Sequence, residues 1–402
     1  MRVDEVSVKK FGQHMTFAPR FGWLKKAFDR VSENLEIFGH DDAPKQLGVG
    51  KNMVDSIAFW ATAFHIISPL SGKGKGGIKR YETTPLGRFI FDESKGVDQY
   101  LEDTNTLWLL HWNSLQPGCQ LPVWWLSFNS FHAVEFASEH LQTFVLEQTA
   151  ASNWNFTNAN PIKKDVDCLL KMFAPRENQL RQTVDDFLDS PFRDLGLLTQ
   201  STLTKGDFRF EYGPKTGLSP SMALAICLDF VARTTPDART VTVGRLVNDH
   251  GSPGRLMKLS EQALGDLLNK ASQLHPELVS LTSPTGSTQL NSNQNALIAA
   301  ETVLHACYGL KTKGISEAAG IGLRSFGRTD DTNDESNRIS KIIKKLEKDT
   351  AVKVTPKKVS KRSSKPMSLS KSSKKKAVAI KKSAKKKAVA IKKSAKKKVS
   401  AR

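Results

Sequence analysis

The side chains in this sequence best suited to chemistry are basic and amide groups set beside glycine, and the chemistry they suit is the gripping of phosphate. Residues 47–60, LGVGKNMVDSIAFW, place Lys51, Asn52 and Ser56 on one side of a helix, with Asp55 and Phe59. The other side carries Val54, Ile57, Ala61 and Phe64 at helical spacing. Further on, residues 71–77 form a glycine-rich basic loop, and the loop with its flank offers Lys73, Lys75, Lys79 and Arg80. Glycine lets a backbone come close to a phosphate while lysine and arginine supply the charge. A third set lies near the C-terminus. Lys374, Lys375 and Lys376, then Lys385, Lys386 and Lys387, open two tandem copies of KKKAVAIKKSA.

Catalytic sets are weaker. GVGK at 48–51 ends as a nucleotide-binding loop does, but Asn52 stands where Ser or Thr is required and Lys45 where the first glycine belongs. FDESK at 91–95 echoes the E-x-K end of a nuclease motif, a pattern short enough to arise by chance. Asp98, Glu102, Asp103, His111 and His132 could be assembled into a metal site. A carboxylate-rich helix start and core histidines explain them more simply. Asp165 and Asp167 sit two apart, on different helix faces. The four cysteines, Cys119, Cys168, Cys227 and Cys307, form no C-x-x-C pair and read as buried thiols of a reducing compartment. No catalytic residue is assigned, and Mg²⁺ or Mn²⁺ is expected only if the chain cleaves DNA.

Elements that would position the basic residues are legible around them. A short helix ends at Leu47, Gly48 and Gly50 allow a sharp turn, and a longer helix restarts near Lys51, which is the pattern of a helix-turn-helix. An amphipathic helix over 20–31 precedes it, and Asp41-Asp42-Ala43-Pro44 suits a helix start. Residues 79–83 and 88–91 read as short strands, so that helix-turn-helix, basic loop and strands together describe a winged helix. Residues 96–149 read as helical and densely aromatic; six of the seven tryptophans lie in the first 125 residues, which puts one strong core there. The polar stretch 151–160 marks a boundary. Beyond it come a helix from Pro161, a buried helix over 221–233 and a stretch at 240–247 that suits either a strand or a helix start. Ser260 and Glu261 then open a helix, two β-prone runs flank 283–286, and a helix at 295–308 closes the folded part. This suggests a second winged-helix-like module.

The expected fold class is therefore mainly α with short β-hairpins (α+β), as tandem winged-helix-like modules with a helical middle and a disordered C-terminal tail. The expected segments are 1–95, a winged-helix domain; 96–155, a helical core; 156–310, the second module; 311–350, a linker with a marginal helix; and 351–402, a Lys/Ala-rich tail. With 39% hydrophobic residues over 402, real cores are within reach, and no apolar run is long enough to span a bilayer. The N-terminus lacks the apolar core of a signal peptide, so a cytoplasmic protein, at the nucleoid, is expected. The net charge of +20 is carried by the tail, which has 21 Lys and Arg and no acid, against 39 basic and 40 acidic residues before it. Such a tail is similar to those of linker histones and binds polyanions by counterion release.

FGQHMTFAPRFGWLKKAF, DDAPKQLGVGKNMVDSIAFWATAF, YLEDTNTLWLLHW and SPGRLMKLS together resemble a bacterial family of unknown function encoded beside DNA phosphorothioation genes. The resemblance covers residues 8–310 and leaves the tail outside. It implies a DNA-binding component of a phosphorothioation or restriction-type defence system, including its DNA-nicking subunit, working with other proteins of that system. Basic residues are frequent in that family at the positions held here by Asp55 and Ala58. The helix from Lys51 to Trp60 is accordingly expected to position or pack, leaving most of the charge to the 73–80 loop and the tail. The alternatives are a non-enzymatic DNA-binding adaptor or transcriptional regulator, and a nucleoid-associated protein acting through its tail.

Overall fold

Trp23, Trp60, Trp108, Trp112, Trp124 and Trp125 are all buried, and the core they belong to runs unbroken from Val3 to Leu304. The computed structural model describes residues 1–74, 77–174, 190–284 and 286–310, without the side chain of Lys73. All of these lie in one compact unit, Met1–Asp331. The 311–350 linker, the tail with its lysine triplets, and Lys75 lie outside the described residues. The core includes residues on both sides of positions 95 and 155.

The described chain is mostly helical, with three small antiparallel sheets. After a single turn, α1 (Val3–Val6), comes α2 (Trp23–Glu33), which buries Trp23, Leu24, Ala27, Phe28 and Val31 along one stripe. Helix α3 (Ala43–Leu47) stops at Gly48, whose φ of 63° needs the freedom of glycine, and α4 (Lys51–Ala63) starts three residues later. Strands β1 (Ile67–Lys73) and β2 (Lys79–Thr83) form a hairpin with an irregular register between Pro69 and Lys73. The Tyr81 amide of β2 donates to the Leu35 carbonyl at 2.8 Å, which ties the hairpin back to the α2–α3 connection.

Residues 88–91, expected as a strand, are helical: they close α5 (Pro85–Phe91). The Thr84 hydroxyl caps this helix by accepting from the Gly87 amide, and Pro85 takes the first position, where its missing N–H costs nothing. A β-carbon on Gly87 would strike the Ile66 carbonyl, so glycine sets how closely α5 lies against the start of β1. The middle of the chain holds α6 (Thr104–Ser114), α7 (Pro122–Asn129) and α8 (Ser138–Ala151). The segment 96–103 before α6 is irregular rather than helical; Asp98 there accepts from the amides of Glu102 and Asp103. After the polar break comes α9 (Asn160–Phe173). Strands β3 (Glu135–Phe136), β4 (Leu198–Gln200) and β5 (Phe208–Phe210) join in the order β3-β5-β4.

The last third begins with α10 (Pro220–Thr234), buried along most of its length. Its Asp229 accepts from the Trp112 indole at 2.8 Å and from Arg233 at 2.7 Å, a polar clamp between α6 and α10 inside the core. Residues 240–247 are both things the sequence allowed, a strand β6 (Thr240–Thr242) and then a helix α11 (Val243–Asn248). The Thr242 side chain caps the helix at the switch. There follow α12 (Pro253–Leu256), α13 (Glu261–Leu274), β7 (Val279–Thr282), β8 (Gln289–Ser292) and α14 (Ala296–Cys307). The sheet order is β6-β8-β7, so the first strand pairs with the last and brackets the helices between them. Among the described residues, no helix is long and apolar enough to cross a membrane.

Candidate nucleic-acid interface

Two helices occupy the same place in their local arrangement, last of a helical group and followed by a two-stranded hairpin: α4 and α13. They differ in what covers them. Segment 11–17 runs over the outward side of α4. The Ser56 hydroxyl donates to the His14 carbonyl at 3.0 Å, and the Trp60 indole donates to the Phe17 carbonyl at 2.9 Å. The His14 ring stacks beside Trp60, and its Nε2 lies 2.7 Å from Asp165 Oδ1 on α9. Only Lys51, Asn52 and Asp55 of α4 are exposed. Ser56, expected to face outward, is 0% exposed, and its one hydroxyl is spent inside the protein. It is no contact for a ligand.

The His14–Asp165 pair is structural. His14 Nδ1 accepts from the Thr16 amide at 3.1 Å, so the ring donates from Nε2, and Asp165 also accepts from the Gly12 amide at 2.7 Å. Burial pushes the Asp165 carboxyl up, against the opposing pull of these hydrogen bonds. Ser56 meets the His14 carbonyl and not its ring, so no activated nucleophile is assembled.

The β1–β2 hairpin carries the remaining expected contacts of this region. Lys79 is exposed; Arg80 is half-buried and lies 3.7 Å from Glu36, which takes up part of its charge. Lys73 lies at the end of β1. Beside this region an open groove of about 1050 Å³ is bordered by Phe21, Lys25, Arg30, Glu93 and Tyr100. Of its four cations, Lys25 pairs with Asp29 at 2.6 Å and Arg30 with Glu33 at 2.7 Å, while Lys26 donates to the Leu47 carbonyl and Arg88 to the Thr83 carbonyl.

Helix α13 is open. Ala263, Leu264, Leu268 and Ala271 are buried, and the Ser260 hydroxyl caps the N-terminus by accepting from the Ala263 amide. The opposite side presents Gln262, Asp266, Asn269, Lys270 and Gln273, all exposed and with no side-chain partner among the described residues. Three amides on one stripe of a helix about 21 Å long are groups that can donate to and accept from base edges at once. Sequence reading passed over this stripe because it carries little charge, although its three-and-four spacing was available.

This chain belongs to the family described as protein of unknown function DUF4007, whose model matches residues 11–308. The chain is also similar to two solved structures. A magnesium-bound SspB crystal structure is 34% identical, with a TM-score of 0.71, covering 77% of this chain and 90% of its own. An SspB crystal structure, again 34% identical with a TM-score of 0.70, covers 77% of this chain and 91% of its own. No protein with a curated description matches.

Among the described residues, no three His, Cys, Asp or Glu side chains come together to hold a metal. Asp98 and Asp103 are spent on backbone amides. Asp92 of the FDESK stretch accepts from the Ser94 hydroxyl and then from the Ser94 and Lys95 amides, hydrogen bonds that hold its carboxyl below the usual range. His111 is buried against the Leu256 carbonyl at 2.9 Å, and burial pushes its imidazole down to about 4. Asp98, Asp103, Asp92 and His111 thus each already have hydrogen-bond partners within the protein.

Proposed function

We propose that this protein binds DNA as a component of a phosphorothioation or restriction-type defence system, through two winged-helix-like modules and a polycationic tail. The observation that carries the reading is the open, amide-bearing stripe of α13 within a segment ordered helix, strand, two short helices, long helix, hairpin, with β6 pairing β8. That order is the one a winged helix uses to present its last helix to a major groove. In this reading α13 reads sequence, and residues 351–402, with their 21 positive charges, supply grip that does not depend on sequence. Lys51, Asn52, Lys73, Lys75, Lys79 and Arg80 add phosphate contacts at the edge of the first module, while the covered body of α4 packs. Membership in the DUF4007 family and the likeness to SspB support placing the chain in that kind of system.

A nicking activity is the second reading, favoured by the magnesium of the SspB relative. The experiment that separates the two is conversion of supercoiled plasmid to the open-circular form, with Mg²⁺, with Mn²⁺ and with chelator. For a binding component, filter binding or anisotropy shows complex formation while the plasmid stays supercoiled in every condition. Metal-dependent nicking that co-purifies with the chain through two columns overturns the non-enzymatic reading. Absence of any duplex binding at low salt overturns the proposal as a whole.

A further inference from the structure

Positive charge collects where the C-terminus of α7 meets the approach to α13, and no carboxylate answers it directly. Lys258 adopts a φ of 54°, rare for a residue with a side chain, two positions before the cap of α13. Its Nζ donates to the carbonyls of Phe128 at 2.7 Å and Ser127 at 3.3 Å, and lies 4.3 Å from the centre of the Phe210 ring and 5.4 Å from that of Tyr212. Arg255 donates from Nη1 to the Asn129 carbonyl at 2.9 Å and from Nε to the Asn248 carbonyl at 2.7 Å. Carbonyls at a helix C-terminus fix a cation in place without cancelling its charge.

Around these two stand more protonatable groups. His250 is exposed, with Nδ1 3.5 Å from Arg255 Nη1 and 3.2 Å from Asn129 Nδ2. An imidazole nitrogen facing two donors is an acceptor, so the ring is neutral and presents Nε2–H outward. His132 is exposed, and its imidazole is held down by partial burial and then by the charges of Arg255 and Lys258. Lys215 donates to the Glu211 carbonyl, and burial pushes it down to about 8; Lys258 is pushed down to about 7 by burial and then by Arg255 and Lys215. Partial burial, the amino terminus, Arg255 and His132 hold His250 down, and Asp249 opposes them. The nearby acids act on the cluster only in part, Glu211 on Lys215 and Asp249 on His250, and both have other partners. Asp249 pairs with Arg245 at 2.9 Å, and Glu211 accepts from Thr199 at 2.7 Å and lies 3.8 Å from Arg209. A latch on the end of α7 accounts for Lys258 and for one edge of Arg255. It does not account for the two imidazoles, for Lys215 or for Arg255 Nη2, which makes no hydrogen bond among the described residues.

We propose that this cluster is a binding site for a phosphate-type oxyanion, with Arg255, His250 and His132 as direct ligands, the half-exposed Tyr212 at the rim, and Lys258 as the fixed charge behind them. Arg255 carries its charge in advance and the neutral imidazoles present N–H donors, so an anion finds donors in place and favours protonation of the groups around it. The phosphate can be that of a DNA strand or a free one, and the test separates these sources.

The full chain, labelled at its histidines, is titrated with inorganic phosphate and followed through the His132 and His250 imidazole resonances, with chloride at matched ionic strength as control. The expected result is a saturable shift of both resonances, a rise in both pKa values, and binding weakened about tenfold or more in His132→Gln/His250→Gln, read by calorimetry. Both positions are exposed, so that variant keeps the fold even if Arg255→Gln, which also removes a cap from α7, does not. The titration is repeated with a short duplex with and without a 5′-phosphate. Saturation by phosphate alone identifies a free anion, and saturation only by duplex identifies the strand's own phosphate. Shifts that match chloride in every arm overturn the proposal and leave the cluster as an α7 latch. Duplex anisotropy on the unmutated full chain reports separately on DNA binding through α13 and the tail, so absence of that binding with the phosphate response intact counts against the DNA-binding reading and not against this site.

Discussion

The buried imidazoles show how single residues tie stability to pH. His65 and His111 lie inside the core, and burial pushes each down to about 4. An unfolded chain returns them to about 6.5. Between those values the unfolded state binds protons that the folded state refuses, so the stability these residues support is complete above pH 6.5. It is lost as the pH falls through 4, on the order of 3 kcal/mol for each. Urea unfolding at pH 7, 5.5 and 4.5 is expected to give falling midpoints. His111→Gln, whose amide can still donate to the Leu256 carbonyl, is expected to flatten that decline by about one proton's worth. An unchanged pH slope in the variant removes His111 from the account. The same scale shows why Ser56 misleads from sequence: its hydroxyl is taken by a carbonyl 42 positions earlier, and no local spacing reveals such a cover.

At the scale of elements, the contrast between α4 and α13 is the substance of the functional reading. Both helices were legible. Gly48 announces the turn into α4, and Ser260 with Glu261 announces α13. The strand expected at 88–91 failed because Thr84-Pro85, a cap followed by a first-turn proline, outweighs a short apolar run that could be either. What spacing could not tell was which helix stays open, since that depends on segment 11–17 folding back over α4. The cluster at Arg255 and Lys258 was hidden for a similar reason, its members being drawn from positions 129 to 258 by tertiary folding. A direct comparison follows. Gln262→Ala/Asn269→Ala/Gln273→Ala is expected to lower the ratio of specific to non-specific DNA affinity at least tenfold, because each lost bidentate contact is worth about 1–3 kcal/mol of discrimination. Lys51→Ala/Asn52→Ala is expected to weaken binding alike on all sequences. Competition binding on a selected site against random duplex measures both. The reverse pattern reassigns sequence reading to the first turn of α4.

For the whole molecule, charge is divided unevenly along the chain. Residues before the tail hold 39 basic and 40 acidic side chains, so their net attraction for a polyanion is small, while residues 351–402 hold 21 positive charges. Among the described residues the core ends at Leu304. Deleting 351–402 is therefore expected to leave the urea midpoint and the helical circular dichroism of the remainder in place. Its effect belongs to the salt dependence of DNA binding. Each phosphate neutralised adds about 0.9 to the slope of log affinity against log salt, so losing on the order of ten contacts flattens that line by several units. Affinity at low salt is expected to fall by orders of magnitude, while the ratio between a preferred and a random duplex holds, since α13 is proposed to carry discrimination. Titrations from low to moderate salt on both duplexes measure slope and ratio together. A slope unchanged by the deletion places the phosphate contacts on the body, at the 73–80 hairpin and the Arg255 cluster. A ratio that collapses with the tail means the body does not read sequence.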